Sequence, residues 1–264
     1  MLSENAISDR AVRVISETSS LVNLNLADTR ITDACSEAIG RLGRLRNLIV
    51  SDTHIGDAFL KNISHLRLEH VVLSRTHVTG CGLAFVPRTV TELFVEQLRL
   101  GPSGLTRLPE LEHLWFLQAN GTPLSDSQLR CLQQQRRLTY LHVADTGITG
   151  TGLVHLANLP RLAVVDLSGC PVSQQGIEAL AALPHLEFCI LRNCDLRECD
   201  VPTGPEFWPD LRGVDLAGAR VSVDAITAFA QCRQLRRINL EGLPFSDAEW
   251  EHILASFRNA EIIR

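Results

Sequence analysis

Leu21-Val-Asn-Leu24-Asn-Leu26-Ala-Asp-Thr29-Arg-Ile31-Thr32-Asp33 is the stretch whose reading decides the fold. Strand side chains alternate faces, so Leu24 and Leu26 point one way while Asn23, Asn25 and Ala27 point the other. One short strand and one short helix cannot bury those leucines alone. The phrase Leu-x-x-Leu-x-Leu returns, with substitutions, from residues 45, 68, 90, 111, 138, 162, 186, 211 and 235. Successive intervals from residue 21 are 24, 23, 22, 21, 27, 24, 24, 25 and 24. Stacked side by side, such units bury one another's leucines, with parallel strands roughly 4.8 Å apart.

A second phrase, Thr-x-Ile-Thr-Asp, follows the first. It stands as Thr29/Ile31/Thr32/Asp33, Thr53/Ile55/Asp57, Thr76/Val78/Thr79 and Thr146/Ile148/Thr149. Looser copies are Thr122/Leu124/Ser125/Asp126, Cys170/Val172/Ser173 and Ala219/Val221/Ser222. The apolar member plugs the core, and the Thr or Ser after it is placed to cap a helix. Leu153, Leu156 and Leu159, then Ile177, Leu180 and Leu183, read as the inner face of such helices.

These tandem phrases resemble the leucine-rich repeat family, over roughly residues 21 to 259. The Thr-x-Ile-Thr-Asp flavour is similar to repeats of bacterial and protist proteins, and to the cysteine-containing repeats of F-box substrate receptors. The resemblance implies an α/β leucine-rich repeat solenoid, a horseshoe. Its parallel sheet of 10–11 strands lines the concave face, and short helices and turns form the convex face. We expect one continuous domain: residues 1–20 an N-terminal capping helix, 21–245 ten repeats, and 246–264 a C-terminal capping helix. Residues 4–18 read as the first cap, with Ala11, Val12, Val14 and Ile15 available to cover Leu24 and Leu26. In the second cap, Ser246-Asp247 starts the helix, Ile253, Leu254 and Phe257 face inward, and Glu261-Ile262-Ile263 adds a last strand.

Three places break the rhythm. The repeats from 68 and 90 are short, so turns or 3₁₀ pieces are expected on their convex side. The repeat from 111 carries three extra residues, expected as a rim bulge at Gln118-Ala-Asn120-Gly121. The repeat from 186 replaces its helix with a segment holding Pro202, Pro205 and Pro209, where Phe207 and Trp208 stand in for missing leucines.

Aligning the strands by these starts gives a middle outward column containing Ile49, Val72, Phe94, Trp115 and His142. Its neighbour contains Glu92, His113 and Tyr140, and the third column holds Glu96 and Leu117. Ile49, Val72, Phe94 and Trp115, flanked by Tyr140 and Leu117, form the candidate partner-binding patch. Glu92, Glu96, Asp52 and Asp145 would rim it with acid. The implied partner is another protein, offering an apolar or basic-flanked segment; self-association through the same face is an alternative.

Net charge is −5 at pH 7, which argues against general nucleic-acid binding. Hydrophobic residues make up 45% and aromatics only 5%, suiting a Leu/Val/Ile core. No run of 18 apolar residues suggests a membrane span and no secretory signal is visible, so a cytoplasmic location is expected. Lys61 is the only lysine; codon bias accounts for this, and avoidance of ubiquitin attachment is the sharper alternative. Cys189 sits at a core position, while Cys170 and Cys194 occupy turn positions one repeat apart. They read as small buried residues, reduced and metal-free, although a disulfide between the last two is geometrically open.

His70, His113 and His142 on the sheet face, with Asp145 nearby, invite a catalytic reading. A regular ladder, however, offers no deep cleft or oxyanion pocket. No phosphate loop, zinc-protease or dinucleotide motif occurs, and no cofactor is implied. The function expected is a non-catalytic interaction module or scaffold. The alternatives are substrate recognition for a ubiquitin ligase whose F-box or catalytic part lies on another chain, and a bacterial host-directed effector.

Overall fold

The computed structural model describes residues 7–101, 103–258 and 260–264. It divides into two compact units, one running up to Leu124 and including Gln134–Leu138, the other comprising Ser125–Gln133 and everything from Thr139 onward. The first unit holds strands β1 (Asn23–Asn25), β2 (Asn47–Ile49), β3 (His70–Val72), β4 (Glu92–Phe94) and β5 (Phe116–Gln118). The second holds β6 (Tyr140–His142), β7 (Val164–Asp166), β8 (Phe188–Ile190), β9 (Gly213–Asp215), β10 (Arg237–Asn239) and β11 (Glu261–Ile263). In each unit the strands pair in chain order, all parallel, as an open ladder.

Each strand is three residues long. In β1 to β10 the middle residue is buried and, in most, its neighbours are partly exposed. That is the alternation expected when one face packs on a core and the other stays open. Leu24, Leu48, Val71, Leu93 and Leu117 form the buried rungs of the first unit, and Leu141, Val165, Cys189, Val214 and Ile238 those of the second. Each strand leads to a segment that closes the core from the other side. In the first unit these are α2 (Ser36–Gly40), α3 (Asp57–Ile63) and 3₁₀ turns at Gly82–Phe85 and Gly104–Arg107, after a leading helix α1 (Asp9–Ile15). In the second they are α4 (Asp126–Leu129), a 3₁₀ helix at Thr151–Leu156, α5 (Gln174–Ala181), α6 (Val223–Ala228) and α7 (Asp247–Ser256). Leu153, Leu156, Leu159, Ile177, Leu180 and Leu183 are all buried, though the first two lie on the 3₁₀ helix rather than an α-helix.

One position per repeat is left-handed. Asp28, Asp52, Arg75, Gln97, Gly121, Asp145, Gly169, Asn193, Gly218 and Gly242 have φ between +51° and +75°, where Gly, Asn and Asp are the residues most at ease. This column marks the true repeat register. Gly121 stands midway between Gln97 and Asp145, and β5 pairs Leu93 with Leu117 and Phe94 with Gln118. The fifth repeat therefore begins at Leu114, as Leu114-x-x-Leu117-x-Ala119, not at Leu111. Leu111 is the counterpart of Leu42, the apolar residue three positions before the repeat's first leucine: Leu114 N–H bonds the Leu111 carbonyl at 3.0 Å as Leu45 bonds Leu42 at 2.9 Å. The expected three-residue bulge does not exist. Gln118 lies in the strand and Gly121 is an ordinary turn.

The second phrase has a double function. Threonine hydroxyls at Thr29, Thr53, Thr76 and Thr146 donate to the carbonyl three residues back at 2.6–2.8 Å. Cys170 and Cys194 hold the same position, with Sγ donating to Val143 and Leu167 carbonyls at 3.2 Å. Burial pushes the Cys194 thiol up to about 12.

The terminal Asp of the phrase reaches forward one repeat. Asp9, the first residue of α1, does the same ahead of the first copy, accepting from the Thr32 N–H and hydroxyl, both at 2.8 Å. Asp33 accepts from Gly56 N–H at 2.6 Å, and Asp57 from both donors of Thr79 at 2.7 Å. In the second unit Asp126 accepts from Thr149 N–H and hydroxyl and from Gly152 N–H, at 2.9, 2.8 and 2.8 Å. Side-chain caps also form, at Thr32, Ser173, Ser222 and Ser246, the last as a full capping box with Glu249.

The ends differ in detail from expectation. Residues 4–6 of the proposed first cap lie outside the described residues. In α1, Val12 is buried, but Val14 is 64% exposed and covers nothing. In α7, Ile253 is buried and Leu254 is 37% exposed. β11 forms as expected and pairs with β10. Between β8 and β9 there is no helix. Trp208 is buried there against the Phe229 ring at 5.5 Å, and its indole N–H donates to Pro202 at 3.1 Å; Phe207 stays partly exposed.

Candidate functional site

On the first unit the open face carries two columns of side chains. Asn23, Asn47, His70, Glu92 and Phe116 form one; Asn25, Ile49, Val72, Phe94 and Gln118 form the other. Ile49, Val72 and Phe94 thus stand in one line on adjacent strands, as expected. Trp115, Leu117 and His113 do not join them. With the register shifted, Leu117 points into the core and is fully buried, and His113 lies exposed in the turn before β5. Trp115 sits just ahead of the strand and is 38% exposed.

Phe116 takes the place that was assigned to His113, and it completes a chain of rings. His70 and Phe94 are 5.1 Å apart, Phe94 and Phe116 5.0 Å, and Phe116 and Trp115 5.7 Å with near edge-to-face geometry. Such pairs stabilise one another by about 0.5–1.5 kcal/mol beyond their burial. The signal that would have revealed Phe116 was the glycine at 121, in step with the other turn residues.

The acids around this cluster are partly engaged. Glu92 pairs with His70 at 2.8 Å, and Asp52 takes a two-pronged bond from Arg75 at 2.5 and 2.6 Å. Glu96 accepts from Gln118 at 2.7 Å and more weakly from Ser74 and Asn120, all neutral groups. Its charge is therefore unneutralised by those partners, and it is the pairing of Asp52 and Glu92 that leaves the rim less acidic than its carboxylate count suggests.

On the second unit the face columns read Tyr140, Val164, Phe188, Gly213, Arg237 and His142, Asp166, Ile190, Asp215, Asn239. Tyr140 and His142 occupy the strand positions expected of them. Asp166 faces His142 at 3.5 Å and accepts from the Ser168 hydroxyl at 2.6 Å and its N–H at 2.9 Å. Burial opposes its ionisation, but the bonds from His142 and Ser168 outweigh burial and hold its pKa below the usual carboxylate range. In this set the serine gives its proton to the aspartate rather than to the imidazole, the reverse of a nucleophilic arrangement. Among the described residues no group of three or more His, Cys, Asp and Glu is placed to hold a metal, and no helix is long and apolar enough to cross a membrane.

These ladders define a repeat-built, open parallel α/β solenoid. The fold is that of leucine-rich repeat proteins, and a family profile described as Leucine Rich repeat matches residues 135–157. An internalin from Listeria monocytogenes shares the fold, with a TM-score of 0.62 at 17% identity, covering 94% of this chain and 82% of that one. No curated protein matches the chain.

Proposed function

We propose that the chain is a non-catalytic recognition module that holds a protein partner on the open face of its first unit. The carrying observation is the ring chain of Phe94, Phe116 and Trp115 beside Ile49 and Val72, set in a face otherwise made of polar side chains. Partly exposed aromatics in a contiguous group are the side chains that dominate interface energies, at about 2 kcal/mol or more each. Glu96 and Glu92 border them, so a partner segment mixing apolar and basic residues fits.

The test is a quantitative pull-down from native lysate, comparing wild type with a Phe94→Arg/Phe116→Arg double variant of matched circular dichroism and melting temperature. Loss of a specific partner by ~30-fold or more is expected, which corresponds to about 2 kcal/mol. A partner list unchanged by the double variant refutes the assignment.

A further inference from the structure

We propose that the second unit carries a binding surface of its own, for an acidic polypeptide segment bearing an aromatic or aliphatic side chain, along the row Tyr140, Val164, Phe188, Gly213, Arg237. The row takes one residue from each of β6 to β10, in register. It floors a shallow hollow of about 370 Å³ that Ile190 and Arg192 also line.

The apolar half of the recognition comes from Phe188. It is 43% exposed, on a strand face where most neighbours are partly covered. A Cβ on Gly213 would meet the Phe188 ring at 2.6 and 2.7 Å, closer than real carbon atoms approach. The ring edge therefore fills the space over Gly213 on β9, a placement that only glycine permits. There it offers a partly exposed aromatic surface, with Val164 and Ile190 beside it.

The charge preference comes from the next rung. Asp215 is fully engaged, taking Arg192 at 2.6 and 2.8 Å, Asn239 at 3.2 Å and the Ala217 N–H at 3.1 Å. Arg237 is exposed and makes no ion pair with any described residue. The lining thus holds two guanidinium groups against one carboxylate, in a chain whose net charge is −5. Arg237, which forms no ion pair among the described residues although Glu261 is its register partner on β11, is the guanidinium offered to a ligand carboxylate. A guanidinium presents it with a planar fork of donors.

The geometry also selects a polypeptide. A small molecule needs ~70–90% of its surface enclosed, and this hollow is open. Five parallel strands at ~4.8 Å spacing present a row about 19 Å long, which an extended chain spans with about six residues. All lining residues of the hollow belong to the second unit, and nothing in it depends on the Phe94 cluster.

The experiment is selection of a random twelve-residue phage-displayed peptide library on the immobilised full chain, followed by fluorescence anisotropy with the top synthetic peptide. The variants are Arg237→Glu, the gentler Arg237→Gln, Phe188→Ser and, as a control elsewhere, Phe94→Arg, each matched to wild type in circular dichroism and melting temperature. Enriched peptides should combine Asp or Glu with an adjacent aromatic or aliphatic residue. Their affinity should fall ~10-fold or more in Arg237→Glu and Phe188→Ser, less in Arg237→Gln, and not at all in Phe94→Arg. Basic or uncharged enriched peptides, no enrichment, or affinities indifferent to Arg237 and Phe188 overturn the proposal. Binding lost only in Phe94→Arg overturns it too, while leaving the first-unit reading standing.

Discussion

Replacing Asp126 by alanine removes the acceptor of a forward-reaching clamp. The carboxylate takes Thr149 N–H, Thr149 hydroxyl and Gly152 N–H at 2.9, 2.8 and 2.8 Å. Although burial works against its charge, the bonds from Gly152 and Thr149 outweigh it and lower its pKa. Bonds to a charged acceptor contribute about 1.5–3 kcal/mol each when sheltered. Asp126 is only partly buried, so water can replace part of that, and the hydroxyl of Thr149 can turn to solvent. The two backbone donors are then left at about 1 kcal/mol each, a loss of about 2 kcal/mol in all. With about 2.1 cal/mol/K of unfolding entropy per residue, the melting temperature should fall by about 4 °C if the whole chain melts together, and by about twice that if the second unit melts alone. Differential scanning calorimetry measures both the midpoint and the size of the cooperative unit. Asp126→Asn, which keeps one acceptor oxygen, should lose about half as much. A midpoint shift under about 1 °C for Asp126→Ala would show that the clamp is ornamental and that the reasoning from donors is wrong.

Three further outcomes follow from the same structure. Leu117→Asp should unfold the first unit or cost several kcal/mol, because its side chain is a buried rung, whereas Gln118→Arg in the same strand should leave the thermal midpoint within about 1 °C; the reverse order in thermal denaturation would restore the discarded register. Trp208→Ala should cost about 3–5 kcal/mol by urea titration, since the ring is 3% exposed and packs on Phe229. Asp166 has a pKa lowered by His142 and Ser168 against the pull of burial. Its stabilisation is therefore complete above the ordinary carboxylate pKa of about 3.9 and is lost as pH falls through the depressed folded value. Asp166→Asn should flatten the urea midpoint below about pH 4, and an acid limb identical to wild type would contradict this.

Most of the fold was legible because leucine at fixed intervals can be satisfied in few ways. The strands, the capping serines, the proline-bearing segment with its buried Trp208 and the final strand at Glu261–Ile263 all follow from period and residue chemistry. The candidate face was read less well, and a single repeat explains why. In Leu111-Glu-His-Leu114-Trp-Phe116-Leu117 an apolar residue satisfies the phrase in two registers, three residues apart, and the true register ends on the inconspicuous Ala119. Hydrophobic pattern alone does not separate them; backbone conformation does, through the left-handed turn at Gly121. A shift of three residues exchanges faces, which moved Leu117 from surface to core and hid Phe116 and Gln118. The neutralisation of Asp52 by Arg75 was invisible for another reason: partners one repeat apart are neighbours only once the strands have stacked.

The clamps give the chain a polarity. Each carboxylate is supplied by the earlier repeat and spent on backbone and hydroxyl donors of the later one. Strip away a later repeat, and the earlier one keeps only a carboxylate that water solvates well. Strip away an earlier repeat, and the later one is left with donors lacking their acceptor. Unlike the strand ladder, whose bonds run both ways, these clamps impose dependence in one direction, from N-terminus to C-terminus, the order in which a ribosome releases the chain. Each clamped repeat, as it emerges, meets a neighbour that already holds the acceptor it needs.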